Sequence, residues 1–317
     1  MGDSLRLTDH GTIDDSDLRK FSLEPSRSAV ISEFIDFGIE IRDWTRNRSV
    51  MISTARMDYD DDREPILGLR LVGDYILCFT SKWIELFYAP PFPDADDEKL
   101  ILELDPTSHP FHPKCLGFAF DGASLSEPQP NPGCLNTSRI IYILAYQAIV
   151  GFYYFRVTIH NSDYAPSGPR ARMDVDLVGV YELEKPRAGV GGVDEIRVAS
   201  GSWLGPEGKR GIWVESLSRK PKRFVVAVSF DQTCSGGVPV DSGDNLEELR
   251  KIAPRIESTS DVFVIDYWDP SGGWALTSDY RSVEKLKYFP DDIVQYAFSE
   301  STGKIALGTQ DNRIISL

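Results

Sequence analysis

The sequence predicts an all-β protein built from repeated antiparallel strand pairs. Short apolar runs recur along the chain, turn residues separate them, and signals for helices are scarce. Apolar residues make up 41% of the 317 residues, which is enough to bury a substantial core. We therefore expect most of the chain to be ordered and β-structured.

The beginning of the chain differs from the rest. Residues 1–28 are rich in Asp, Ser and Arg and poor in apolar side chains, so we expect a disordered or loosely ordered tail there. Residues 29–41 tolerate either a helical or a strand period, whereas residues 38–44 alternate as a strand does. Residues 29–317 are expected to form the single β-structured domain.

The clearest unit is a three-stranded meander at residues 66–88. Its apolar runs are 66–72, 75–79 and 83–88, and Gly73 with Asp74 forms the first tight turn. Pro90 and Pro91 end the unit. A meander of three or four strands is the unit of a β-propeller blade.

The same pattern recurs to the end of the chain. Further strand runs lie at residues 115–120, 139–146, 149–159, 197–204, 210–215, 224–230, 262–268, 274–277, 293–298, 304–308 and 313–317. Because blades repeat every ~40–45 residues, the domain has room for about six or seven. Five or six meanders can be counted. The predicted fold is a WD-repeat-like β-propeller of four-stranded meander blades, with a ring that is either closed or incomplete.

One segment predicts a helix. Residues 245–252 have the pattern of two helical turns, and Pro254 ends them. Because this segment lies in a polar insertion, residues 231–260, we interpret it as loop decoration.

The charge of the chain narrows the classes of partner. It has 49 Asp and Glu against 34 Lys and Arg, a net charge of −15. Such a surface repels phosphate backbones and anionic lipids, so we expect neither nucleic acid nor a membrane to be bound. The densest basic run, residues 219–223, is interpreted as a charged hairpin tip. The expected partner is a protein, and a basic one.

Cysteine usage and the N-terminal residues indicate a reducing compartment. The four cysteines are Cys78, Cys115, Cys134 and Cys234. None has C-x-x-C spacing, so neither a zinc site nor a disulfide scaffold is predicted, and Cys78 is expected in the core. The first residues lack the apolar segment of a signal peptide, and no apolar run is long enough to span a membrane. We expect a cytoplasmic or nuclear location.

Metal and cofactor chemistry is weakly signalled. The chain has no P-loop, dinucleotide fingerprint or nucleophile elbow. His109 and His112 have the spacing of two metal ligands, and His160 could be a third, but Pro110 and Pro113 favour a polar loop. We predict no cofactor, no metal site, and no catalytic or cofactor-binding residue.

Acidic clusters keep one enzymatic alternative open. They are Asp60 to Asp62, Asp94 with Asp96 and Asp97, and Asp291 with Asp292. Some propellers are glycosidases, which hold two carboxylates across a cleft. Adjacent aspartates in loops are ordinarily solvated, so the chain is predicted not to be an enzyme, and a propeller-type hydrolase is the alternative.

Aromatic residues mark the strands. The six tryptophans are Trp44, Trp83, Trp203, Trp213, Trp268 and Trp274. We interpret them as large core residues packed between neighbouring blades, the alternative being the lining of a ligand site.

Three segments resemble the C-terminal region of the expanded F-box protein families of mushroom-forming fungi. They are residues 67–75 with 84–87, residues 203–215 and residues 296–309. The resemblance extends over roughly residues 35–317, and in all three places the order and spacing agree. It implies a non-catalytic protein-interaction module, the substrate-receptor region of a ubiquitin ligase.

In that family an N-terminal F-box binds the ligase adaptor. The first 30 residues here contain no Leu-Pro-x-Glu start and no F-box-sized helical module, so adaptor binding is not carried over. The expected alternatives are the receptor part of a longer protein, a truncated gene model, or a paralogue that lost its F-box. A degenerate paralogue without activity is a further reading.

Overall fold

In the computed structural model the described residues are mostly β-structured. They contain 21 strands and one short helix. The described residues are 21–24, 29–33, 38–43, 45–46, 48–53, 66–80, 82–94, 99–110, 117–120, 138–147, 150–160, 172–183, 197–205, 208–217, 220–230, 237–241, 244–256, 262–265, 293–299, 304–309 and 314–316.

The elements follow one another with short lengths typical of meanders. In chain order they are β1 (Phe21–Glu24), β2 (Ala29–Glu33), β3 (Ile39–Asp43), β4 (Arg48–Ser53), β5 (Ile66–Val72), β6 (Tyr75–Thr80), β7 (Trp83–Tyr88), β8 (Lys99–Glu103), β9 (Thr107–Pro110), β10 (Gly117–Phe120), β11 (Ser138–Gln147), β12 (Gly151–His160), β13 (Arg172–Glu182), β14 (Arg197–Leu204), β15 (Arg210–Leu217), β16 (Lys220–Ser229), β17 (Val238–Pro239), α1 (Leu246–Ile252), β18 (Val262–Ile265), β19 (Ile293–Ser299), β20 (Lys304–Thr309) and β21 (Ile314–Ser316).

The described residues fall into two compact units. The first holds those up to Ser108, and the second holds those from His109 onward. In the part of the chain that the structure describes, no helix has the length and apolar character needed to cross a bilayer.

The first sheet of the first unit has the order β1-β2-β3-β4-β8. Strands β1 to β4 form an antiparallel meander, and β8 then adds to β4 in parallel. Ser49 lies opposite Lys99 in this parallel pair, and Ser53 lies opposite Glu103. The sheet therefore ends in a strand that the chain supplies only after β7.

The second sheet has the order β5-β6-β7-β9. Strand β5 has the predicted bounds, and the turn to β6 uses Gly73 with a φ of 60°. Cys78 is buried in β6, which confirms its expected place in the core. The buried core residues of this unit are Ile39, Ile41, Val50, Ile52, Ile66, Leu69, Leu71, Ile76, Cys78, Phe87 and Ala89.

The second unit contains the remaining three sheets. Their orders are β10-β11-β12-β13-β17, β14-β15-β16-β18 and β19-β20-β21. The β15–β16 hairpin pairs Leu217 with Lys220, so the basic run begins β16 at a hairpin end, as predicted, and Arg219 lies outside the described residues. One core joins the first two of these sheets, and its buried residues are Leu144, Tyr146, Phe152, Tyr154, Val178, Tyr181, Leu183, Leu204, Trp213, Val226, Val228 and Phe230.

The polar insertion contains the predicted helix. In α1 the side chain of Asn245 accepts a hydrogen bond from the N–H of Glu247, a standard N-cap. The interpretation of this region as loop decoration was wrong. Strand β17 pairs with β13, Val180 N–H donates to Pro254 O at 2.9 Å, and Ile256 N–H donates back to Val180 O. The insertion is docked because the open edge of β13 offers unpaired backbone groups.

The prediction of an all-β chain of antiparallel meanders is confirmed. The described residues form five sheets of three to five strands, against five or six meanders counted in the sequence. Strand β1 falls inside residues 1–28 and pairs with β2, and residues 1–20 lie outside the described residues. The domain boundary at residue 29 and the closure of a ring stay predictions.

Candidate functional site

The candidate site is one half of one face of the sheet with the order β10-β11-β12-β13-β17. Because side chains alternate along a strand, three residues from each of β11, β12 and β13 share this face, in three cross-strand rows. We call it the His160 face, and its rows are Ser138–His160–Arg172, Ile140–Thr158–Asp174 and Tyr142–Arg156–Asp176.

The opposite face of the same strands is apolar and buried. Its buried residues include Ile141, Ile143, Phe155, Val157, Ile159, Val175 and Leu177. The His160 face is half-exposed or exposed throughout. A sheet packed on one side and solvated on the other holds its polar side chains at fixed spacing.

The first polar group of this face is built around Asp174. Its Oδ2 lies 2.7 Å from His160 Nε2, and its Oδ1 accepts a hydrogen bond from Arg172 Nε at 3.1 Å. Burial alone would raise the pKa of Asp174, but the hydrogen bonds and positive charges of His160 and Arg172 outweigh it and lower that pKa. Asp174 is therefore ionised at neutral pH and fixes both basic side chains.

The second polar group is an ion pair in the neighbouring row. Arg156 donates from Nε and Nη2 to Asp176 Oδ2, at 3.1 and 2.9 Å. A Cβ added at Gly237 would lie 2.8 Å from the Cβ of Asp176, so the segment leading into β17 packs closely beside this pair. The cross-strand register and this close packing together fix the geometry of the Arg156–Asp176 ion pair.

An exposed apolar side chain lies beside these polar groups. Ile140 is 38% exposed and occupies the middle row, next to Thr158. A protein interface typically combines an apolar anchor that becomes buried with a surrounding rim of polar residues. The His160 face has that composition.

The inner end of the same face is covered by aromatic packing. Tyr142 stacks on Tyr154 at 5.4 Å between ring centroids, and Tyr154 stacks on Phe230 at 4.0 Å. Tyr154 OH also donates to Gly208 O at 2.6 Å. The face therefore passes at Tyr142 from accessible surface into the core of the second unit.

A buried carboxylate lies deeper in that core. Glu215 is 0% exposed and accepts hydrogen bonds from Trp213 Nε1 at 2.9 Å and from Tyr181 OH at 3.2 Å. The Trp213 ring packs on Phe152 at 4.2 Å, which confirms the expected core role for this tryptophan. Because Tyr181 belongs to β13 and Trp213 to β15, the carboxylate ties two sheets together.

Two of the histidines named from the sequence, His109 and His160, lie in different sheets. His109 is buried in β9, where burial lowers its pKa, and His112 lies outside the described residues. His160 contacts Asp174 instead of another histidine. No three metal-ligating side chains lie together in the residues that the structure describes.

The acidic clusters lie mostly beyond the described residues. Asp94 is exposed. The other named aspartates, Asp60, Asp61, Asp62, Asp96, Asp97, Asp291 and Asp292, fall outside the described ranges. The predicted hydrolase alternative stays a prediction.

Sequence reasoning missed the His160 face because it did not identify β13. Residues 172–177 alternate, with Met173, Val175 and Leu177 on the core side and charged residues between them. That period of two was the available signal.

Comparison with known proteins identifies no family. No family model matches the sequence, and no curated protein matches it. Among solved structures it is similar to the crystal structure of the WD40 domain of SCAP from fission yeast, with 12% sequence identity and a TM-score of 0.40. The match covers 95% of this chain and 66% of that one, so the chain spans just under two thirds of that protein's length. A likeness this distant adds nothing to what the sheets themselves show.

Proposed function

We propose that this chain is a non-catalytic protein-interaction module and that the His160 face is its contact surface. The observation that carries the proposal is exposed Ile140 beside ion-paired side chains on a rigid sheet. Because Asp174 and Asp176 already hold the basic side chains, these side chains lose little conformational entropy when a partner binds.

The charge of the molecule bears on the kind of partner. The whole chain carries −15, which attracts a basic protein from a distance. The face itself has two arginines, two aspartates and a histidine, so its local charges nearly balance. We expect the overall charge to speed association and the face to provide the specific contacts.

A finer proposal is the substrate-receptor region of an F-box-type ubiquitin ligase, in the cytoplasm or nucleus. It is supported by the three resembling segments, which overlap β5 to β7, β14 to β15 and β19 to β20. Adaptor binding is not part of the proposal. The His160 face lies outside all three segments, so its role is proposed independently of the resemblance.

The test is capture of partners by paired variants. Tagged wild-type chain, Ile140→Asp and Ile252→Asp are incubated with extract of the source cells at low salt, and retained proteins are quantified by mass spectrometry. Ile252 is 68% exposed at the end of α1 and serves as the matched control. We expect Ile140→Asp to lose specific partners by at least about tenfold while Ile252→Asp keeps them.

The contradicting results are equally definite. If both variants retained the same partner proteins in equal amounts, the contact surface would not be the His160 face. A wild-type chain that retains no specific protein would leave the interaction proposal without support.

One observation favours a second candidate function, a hydrolase. The His160 imidazole paired with an ionised Asp174 has the arrangement of a general base and the group that orients it. Turnover of a panel of esters and glycosides by the wild-type chain, and its loss in His160→Gln, would establish this activity. Turnover that survives in His160→Gln would exclude the pair as its source.

A further inference from the structure

Among the residues that the structure describes, strand β8 forms one edge of its sheet. It is the last strand in the described order of its sheet, beyond β4. Its exposure alternates: Lys99, Ile101 and Glu103 are exposed, whereas Leu100 and Leu102 pack against the core of the first unit. Ile101 is 70% exposed, which is unusual for a large apolar residue inside a strand.

The backbone of β8 points outward at the same three residues. Leu104 N–H donates to Ser53 O at 3.1 Å, so the backbone groups of Leu104 face β4. In a parallel pair, alternate residues direct their N–H and C=O groups to the same neighbour. The groups of Leu102 and Leu100 therefore also face β4, and those of Lys99, Ile101 and Glu103 face away from it.

We propose that a second copy of this chain binds here, with two β8 strands pairing antiparallel about a two-fold axis at Ile101. In that register Lys99 lies opposite Glu103 of the second copy, Leu100 opposite its Leu102, and Ile101 opposite its Ile101. The interface is isologous, since each copy contributes the same surface.

Charge complementarity selects a second copy as the occupant. The two-fold register places opposite charges directly across the pair at both ends, which stabilises antiparallel strands. The same register aligns the outward backbone groups as hydrogen-bonded pairs, with about six hydrogen bonds in all, two for each of three residue pairs. A register shifted by one residue would lose both matches together, because the outward groups of one strand would then lie opposite the inward groups of the other.

An apolar row crosses the proposed interface. Met51 of β4 lies opposite Ile101 on the same face, and it is half-buried. Pairing about the two-fold axis extends this row to Ile101 and Met51 of the second copy. The contact is small, so we expect a weak dimer with a Kd on the order of 100 µM.

The test uses charge reversal, with the full 317-residue chain followed by sedimentation equilibrium over a concentration series. Lys99→Glu places like charges opposite each other twice, and Glu103→Lys does the same, so each variant should dimerise about tenfold more weakly than the wild type. The double variant Lys99→Glu/Glu103→Lys restores both pairs and should recover wild-type affinity.

Mixing the two single variants gives the sharpest result. A heterodimer of Lys99→Glu with Glu103→Lys has opposite charges at both ends, so the mixture should associate more tightly than either variant alone. Ile101→Asp should abolish the dimer, and Ile252→Asp, at a similarly exposed isoleucine of α1, should leave it unchanged. Circular dichroism confirms that each variant is folded.

Two outcomes would overturn the proposal. A wild-type chain that stays monomeric up to about 1 mM has no such interface. A dimer whose affinity is insensitive to these charge reversals, or a mixture of single variants that does not recover association, places the dimer contact on another surface.

Discussion

Arg48 Nη2 donates a hydrogen bond of 2.7 Å to Asp43 Oδ2 across the turn that joins β3 to β4. Asp43 Oδ1 also accepts from the hydroxyl and N–H of Thr45. Arg48 reaches further, donating from Nη1 to Pro93 O at 2.7 Å and lying over the Phe92 ring. One buried carboxylate therefore fixes a turn and, through Arg48, the segment that follows β7.

This network predicts acid-sensitive stability. Burial alone would raise the pKa of Asp43, but the hydrogen bonds from Thr45, Arg48 and Arg46 outweigh it and lower that pKa from 3.8 to about 2. Because the folded-state pKa is depressed, the stabilisation is fully present above the unfolded value of 3.8 and is lost as the pH falls through 2. Asp43→Asn should cost about 2 kcal/mol at neutral pH.

Urea unfolding of wild type and Asp43→Asn at a series of pH values measures this. The difference between them should shrink as the solution is acidified below pH ~4. Asp94→Asn, at an exposed aspartate, is the control and should change little. A difference that does not depend on pH would contradict the assigned ion pair.

Gly208 should tolerate no side chain. Its φ is +68°, and an added Cβ would lie 2.5 Å from the Tyr142 ring. Gly208→Ala should therefore cost more than the roughly 1 kcal/mol of left-handed backbone strain alone. Gly73→Ala, at a turn glycine with a φ of 60°, is the matched control for that strain. Equal unfolding free energies for the two variants would contradict close packing at Tyr142.

Removing the buried carboxylate of Glu215 should lower the free energy of unfolding more than removing a neutral donor to it. Glu215→Leu leaves the hydrogen bonds of Trp213 Nε1 and Tyr181 OH without this acceptor, and we expect a loss of about 3 kcal/mol. Tyr181→Phe removes one neutral donor and should cost about 1 kcal/mol. Glu215→Gln keeps an acceptor oxygen and should lie between them. Chemical unfolding gives all three values, and a stabilising Glu215→Leu would show that the carboxylate opposes folding.

The lowered pKa of Asp174 should depend on its basic neighbours. Carboxyl carbon NMR of Asp174 should show a titration midpoint below the ordinary 3.8 in the wild type. His160→Gln and Arg172→Gln should each move the midpoint upward, because each removes a hydrogen bond and a positive charge. Arg48→Gln, far along the chain, is the control. An unchanged midpoint in both test variants would contradict the described pairing.

Local signals carried the sequence prediction of the fold. Strand β5 ends where the predicted run ends, because Gly73 and Asp74 make a tight turn that needs no distant partner. Helix α1 was found for the same reason, since Asn245 caps it and the chain turns away before Pro254. Both features depend on residues that are neighbours in sequence.

Strand β8, which sequence reasoning missed, pairs with a distant segment. It pairs in parallel with β4, although β5 to β7 lie between them in the sequence. The five residues of β8 carry no signal that identifies β4 as the partner. The candidate site shows the same limit. The sequence shows that His160 and Asp174 are titratable residues. Their contact depends on the register of β12 against β13, which the sequence alone does not indicate.

The docking of β17 on β13 has a consequence for biosynthesis. Leu177 finds its partner Val238 only after the strands β14 to β16 have been made. During synthesis the edge of β13 therefore stays open while three strands of another sheet are translated. Contacts of such long sequence separation slow folding, and an open edge invites association with other chains. We therefore expect a chaperone that assists folding to bind the segment from β13 to Ile256.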